Sequence, residues 1–190
     1  MGNFSSERLL VPGVLLVRVR KFADSRGYFL ETFRKHDFAE IGVDCDFVQD
    51  NQAFSTQPGT VRGLHFQVPP HAQAKLVRVL RGAVFDVAVD LRRGSSTYGK
   101  WCGARLTADG GEQIFVPRGF AHGYSTLEPD TAVAYKVDAY YAPQSEAGLI
   151  WNDPAIDIDW SIPAEDVLVS DKDAKLPSLT SFNTPFEMKA

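Results

Sequence analysis

Alternation is the property that most narrows what this chain can fold into. In "AVFDVAVDL", Phe85, Val87, Val89 and Leu91 fall on one face and Asp86, Ala88 and Asp90 on the other. That is the two-residue period of a strand, not the 3.6-residue period of a helix. Strands are predicted likewise for "GVLLVRVRKF", "YFLETF", "FVQDNQAFS", "TVRGLHFQ", "AKLVRVLRG", "GKWCGARLT", "EQIFVP", "AHGYSTLE" and "TAVAYKVDAY", with Gly, Pro, Asn and Asp punctuating them. So many short strands at close spacing predict an all-β barrel or jelly roll. Only "RKHDFAEIG" has helical spacing, which predicts one short helix after the second strand, and the proline-containing tail from Asp153 onward predicts loops and short turns that close over the domain. No repeat or linker divides the chain, so residues 1–190 are expected to form one domain. With 44% hydrophobic and 23% charged residues, that length buries a proper core without disulfides or a structural metal.

Charge and cysteine usage exclude several classes of partner. A formal charge of −4 gives no general attraction to nucleic acid, so a polyanion site has to be a local cluster of Arg and Lys. Cys45 and Cys102 show no CxxC spacing and fit reduced thiols in a cytoplasm. No long apolar run predicts a membrane span or signal peptide. The opening "MGNFSS" satisfies the Met-Gly-x-x-x-Ser pattern for N-myristoylation, but a pattern this short arises by chance and one acyl chain anchors only weakly; no membrane partner is expected.

The polar residues worth weighing begin with "VRGLHFQ", which sets Arg62, Gly63 and His65 in a half-buried strand. Arg and His together suggest an anionic ligand, although a ring nitrogen bonded to a backbone carbonyl explains a lone strand histidine equally well. Further oddities cluster with them: Lys75 in "AKLVRV", and His122 among the small residues Gly119, Ala121 and Gly123 of "PRGFAHGYS". Alternation groups Thr131, Val133, Tyr135, Val137, Ala139 and Tyr141 on one face, where core packing with satisfied hydroxyls is the alternative reading of the tyrosines. The compact His-x-His with a nearby Glu is absent, and no metal site is expected. Without a metal or a nucleophilic Cys or Ser arrangement, the chemistry left to His and Tyr is proton transfer, with Lys or Arg stabilising negative charge. That suits a carbon acid next to a ketone, with His65, Tyr135 and Lys75 as base, acid and cation.

The stretches "DSRGYFLETF", "FVQDNQ", "VRGLHFQVPPHAQAKLVRVLRGAVFDVAVDLR", "STYGKW", "VPRGFAHGY", "YKVDAYYAPQSEAGLIWNDP" and "LVSDKDAKLP" together resemble the dTDP-4-dehydrorhamnose 3,5-epimerase family, in register from about residue 8 to about residue 180. The resemblance implies a cupin-type double-stranded β-helix (jelly roll) with minor short helices, acting as a homodimer without metal or cofactor. The implied partner is a small-molecule dTDP-sugar, dTDP-4-keto-6-deoxy-D-glucose, epimerised at C3 and C5 to dTDP-4-keto-L-rhamnose. His65 then resembles the family's base, oriented by Asp173, with Tyr135 as proton donor and Lys75 at the enolate oxygen. Tyr141 resembles the tyrosine that stacks on thymine, and Arg26, Glu31, Gln49, Asn51, Arg62, His122 and Lys172 match positions lining the substrate site. Glu146 stands where the family commonly has Asp, one methylene shorter. His71 falls in a variable loop and is given no role. Regular alternation sets Arg62 and His65 on opposite faces, so a shared ligand requires an irregularity, expected at Gly63. The rival readings are a relative inverting C3 or C5 alone, a noncatalytic nucleotide-sugar binding protein, and a metal-dependent cupin dioxygenase.

Overall fold

The alternating stretches resolve into antiparallel strands in a computed structural model that describes residues 2–188. Met1, with which the lipidation pattern begins, lies outside the described residues, as do positions 189–190. In chain order the strands are β1 (Phe4–Arg8), β2 (Leu15–Val19), β3 (Lys21–Asp24), β4 (Gly27–Leu30), β5 (Gln49–Ser55), β6 (Val61–Gln67), β7 (Lys75–Arg81), β8 (Ala83–Asp90), β9 (Trp101–Thr107), β10 (Gln113–Val116), β11 (Phe120–Thr126), β12 (Thr131–Val137) and β13 (Glu146–Gly148). They form a six-stranded sheet, β1-β2-β10-β7-β12-β5, and a five-stranded sheet, β13-β6-β11-β8-β9. This is the expected jelly roll.

Several elements depart from the reading by alternation. "GVLLVRVRKF" is broken at Arg20 into β2 and β3, and β3 pairs with β4 in a hairpin that belongs to neither sheet. Strand β1 was not foreseen because its sequence, "FSSER", has one buried residue and then a run of exposed ones along the sheet edge. Strand β13 is only three residues long and pairs with β6. The one α-helix, α1 (Lys35–Glu40), falls inside the stretch with helical spacing and buries Phe38. Beyond Asp153 the described tail has only turns, isolated bridges at Leu168 and Glu187 and short 3₁₀ segments, as expected.

Three apolar layers hold these parts together. Leu16, Val77, Val84, Leu106, Ile114 and Val133 meet between the two sheets. The outer face of the six-stranded sheet is covered near α1, where Phe38 and Val43 contact Leu15, Val17, Leu76 and Phe115. The tail covers the outer face of the five-stranded sheet, laying Ile156, Trp160, Leu179 and Phe186 on Val61, Leu64, Val87, Val89 and Ala121. Strand β8 is therefore buried on both faces, and its polar side does not meet water. Asp86 is 0% exposed and accepts from His122, while Asp90 accepts from Arg92, Ser95 and Thr97.

The expected irregularity is present. In the β6–β11 ladder His65 stands opposite His122, but the next pair is Arg62 with Tyr124, so three residues of β6 span what two of β11 span. This bulge returns Arg62 and His65 to the same side. Gly63 permits it: its φ is +125°, and a Cβ there would sit 2.6 Å from Gly123 Cα and 2.7 Å from the His122 carbonyl oxygen.

Candidate active site

Residues of both sheets line a cavity of about 530 Å³. The five-stranded sheet contributes Arg62 and His65 from β6 and His122 and Tyr124 from β11; the other contributes Lys75 from β7 and Tyr135 from β12. Tail residues Leu168, Val169, Ser170, Lys172 and Asp173 complete the wall. A smaller adjoining lobe of about 140 Å³ shares His65, Lys75 and Tyr135 and adds Gln49, Asn51, Gln67, Gln73, Tyr141 and Glu146.

His65 is held from the tail. Its Nε2 lies 2.7 Å from Asp173 Oδ1, while Asp173 Oδ2 accepts the Gly63 N–H at 3.3 Å. Ser170 Oγ in turn accepts the Asp173 N–H at 3.1 Å. Neutral His65 therefore carries its proton on Nε2, donated to the carboxylate, and keeps the Nδ1 lone pair as an acceptor. Burial pulls the imidazole pKa below its ordinary 6.5 even though Asp173 opposes the shift, with Lys75 and Lys172 adding to the lowering. The ring is thus a neutral base at neutral pH.

Opposite it stand a phenol and an ammonium in low-dielectric surroundings. Burial pushes the Tyr135 pKa above its ordinary 10, with Arg62 opposing, so the hydroxyl keeps its proton. Burial lowers Lys75 to about 8, against the attraction of Asp86 and Glu146, and its Nζ donates to the His65 carbonyl oxygen at 3.2 Å. A second His–Asp pair lies deeper: His122 Nε2 is 2.9 Å and 3.0 Å from the two Asp86 carboxylate oxygens. Arg62 is tied by Nη2 to the Phe54 carbonyl oxygen at 3.0 Å and by Nε to Ser55 Oγ at 3.3 Å.

The mouth is built from longer side chains. Glu146 accepts from the Tyr141 hydroxyl at 3.1 Å and from Lys172 Nζ at 2.7 Å, and both contacts help hold its pKa below the ordinary carboxylate value. Gln49 donates to Asn51 at 2.9 Å and accepts the Tyr141 N–H at 3.0 Å. Tyr141, 54% exposed, does not share a strand face with Tyr135 as alternation implied. Strand β12 ends at Val137, and Tyr141 is placed by its loop and by Gln49.

All the expected site residues line these two lobes except Arg26 and Glu31. Arg26 sits at the tip of the β3–β4 hairpin with its side chain 88% exposed and paired with Asp24 at 2.6 Å; Glu31 pairs with Arg34 at 2.7 Å. Neither reaches the cavity of its own chain. The sequence reading missed Tyr124 and Asp86. Tyr124 lies two positions after His122 and so shares its face, a signal that was available; Asp86 was placed on the polar face of its strand and given no role. Among the described residues no three or more His, Cys, Asp or Glu gather as a metal site.

Comparison with known proteins agrees with this geometry. The family model for dTDP-4-dehydrorhamnose 3,5-epimerase matches residues 8–181. A dTDP-4-dehydrorhamnose 3,5-epimerase of Sinorhizobium fredii is 52% identical over 181 residues, covering 95% of this chain and 92% of the relative. The crystal structure of dTDP-6-deoxy-D-glucose-3,5-epimerase from Legionella pneumophila, in complex with dTDP-4-keto-L-rhamnose, matches with a TM-score of 0.93 at 38% identity, covering 98% of this chain and 100% of that one. A dTDP-4-dehydrorhamnose 3,5-epimerase of Bacillus anthracis, with TDP and PPi bound, matches with a TM-score of 0.88 at 44% identity over 92% of this chain and 99% of the other.

Proposed function

Because the chain belongs to the dTDP-4-dehydrorhamnose 3,5-epimerase family, we propose that it inverts C3 and C5 of dTDP-4-keto-6-deoxy-D-glucose to give dTDP-4-keto-L-rhamnose. One observation carries the reading: a histidine made basic at Nδ1 and a phenol that keeps its proton line one cavity from opposite sheets. Inversion at a carbon next to a ketone needs that pairing, a base on one face and an acid on the other.

In the proposed mechanism His65 Nδ1 takes the proton from the carbon beside the ketone, and the C–H electron pair moves onto the C4 oxygen as an enolate. The Lys75 ammonium stabilises that oxygen. Tyr135 then protonates the same carbon from the opposite face, and exchange with solvent restores both groups before the second carbon is inverted. No metal or cofactor is needed, because Lys75 meets the enolate charge. Arg62 and Lys172 suit the pyrophosphate by charge, and Tyr141 offers an exposed ring for the thymine.

The homodimer belongs to the same proposal. Arg26 and Glu31 do not line the cavity of their own chain, whereas a hairpin that joins neither sheet and exposes Tyr28 and Phe29 suits insertion beside a partner's site. Free Cys45 and Cys102 support a reducing compartment and hence the cytoplasm.

The test is incubation with dTDP-4-keto-6-deoxyglucose in D₂O with EDTA, following C3 and C5 by NMR. Deuterium at both carbons with inverted product is the expected result. Label and inversion at one carbon only would make this a single-site epimerase, and no exchange at all would leave a binding role.

A further inference from the structure

Tyr124 lines the cavity beside the proton-transfer groups, and the mechanism above gives it no task. Alternation along β11 turns His122 and Tyr124 to the same interior face, with ring centroids 6.4 Å apart. In the ladders Tyr124 stands opposite Arg62 of β6 and Asp86 of β8. The side chain is 5% exposed, and its ring belongs to the core between the sheets with Val84, Val133 and Tyr135.

A phenylalanine would fill that space equally well, so the hydroxyl is the part the core does not require. It makes no hydrogen bond to any described residue, yet no enclosed side-chain nitrogen or oxygen among the described residues is left without a partner. The oxygen therefore opens onto the cavity. Burying a phenol costs free energy unless its hydroxyl is matched, so the match has to come from whatever fills the cavity. Burial also raises its pKa, which makes it an uncharged donor at any working pH.

We infer that Tyr124 is a sugar-binding residue whose hydroxyl hydrogen-bonds an oxygen of the hexose in the bound sugar nucleotide. The inference rests on the proposed function. Tyr124 and His122 are buried, whereas Tyr141 and Lys172 stand at the exposed mouth; a ligand with its base on Tyr141 directs its hexose inward. Two carbons on either side of C4 must be presented in turn to one base, so the ring has to keep its place through two enolates. An uncharged donor that does not titrate serves that purpose without competing with Lys75 for the negative charge.

Tyr124→Phe keeps the ring and removes only the oxygen. Calorimetry with dTDP and with dTDP-glucose, and steady-state kinetics with the ketosugar, separate the possibilities. The expected result is unchanged dTDP affinity with the dTDP-glucose Kd and the ketosugar KM raised about two- to tenfold, the loss of one neutral hydrogen bond. Unchanged kinetics and affinity, or an equal loss for dTDP and dTDP-glucose, would overturn the inference while leaving the proposed function in place. A wild-type chain that binds neither nucleotide would remove the function and this inference together.

Discussion

In the proposed mechanism His65 serves as the base through contributions that agree: Asp173 fixes the Nε2 proton, which leaves the lone pair on Nδ1, and burial keeps the ring neutral. His65→Ala should lower kcat by at least about 10²–10⁴-fold, the usual contribution of a positioned base, while dTDP affinity measured by calorimetry stays near the wild-type value. The pH dependence follows from the same environments. In kcat/KM an acid limb is expected below pH 6.5, where His65 protonates, and a basic limb near pH 8, where Lys75 loses its charge. Stability has the opposite sign on the basic side. With Lys75 at about 8 in the folded chain against 10.5 unfolded, the unfolded chain holds the extra proton across that window, so Lys75 makes stability rise with pH while activity falls. Lys75→Met should abolish the basic limb and flatten that part of the stability rise, measured by urea midpoints at pH 8 and pH 10. Identity and pairing of His65 with Asp173 were legible in the sequence through the family resemblance. The polarity of Asp86 misled, because a carboxylate on an alternating strand says nothing about which face is solvated, and here both faces are covered.

Strand β6 shows what alternation alone cannot supply. Arg62 and His65 are three positions apart and a regular strand would separate them; the bulge at Gly63 brings them together because the β11 backbone at His122 and Gly123 comes too close for any side chain. Gly63→Ala should destabilise the fold by about 2 kcal/mol or more, combining a positive φ with a steric clash, and should lower activity as well. A chemical melt together with turnover at a temperature where the variant is folded checks both. The irregularity was expected because Arg62 and His65 can share a ligand only if alternation lapses between them, and Gly63 is the residue there that tolerates the lapse. It was silent about β1 and β13, where the pairing is decided by neighbours already in place and the local pattern is too polar or too short to register. Tyr141 was found by its motif and misplaced by periodicity, since the period lapses once the strand ends at Val137.

The jelly roll and the tail that closes over it were readable from pattern, but the position of the β3–β4 hairpin, apart from both sheets, depends on contacts that no periodicity encodes. In the proposed homodimer, Arg26→Ala and His65→Ala chains are each deficient, one in what the hairpin supplies and the other in the base. Mixed and allowed to exchange subunits, they should regain activity toward one quarter of the wild-type value, because half the dimers are hybrids and each hybrid has one intact site; no recovery despite confirmed exchange would confine Arg26 to another role. The tail has a different consequence. Its covering residues and Asp173 lie on one continuous segment, so the layer that seals the five-stranded sheet also delivers the carboxylate that sets the His65 tautomer. A chain still emerging from the ribosome has Arg62, Lys75 and Tyr135 long before it has Asp173, and in the proposed mechanism chemistry on the sugar begins only after almost the whole polypeptide has been made and docked.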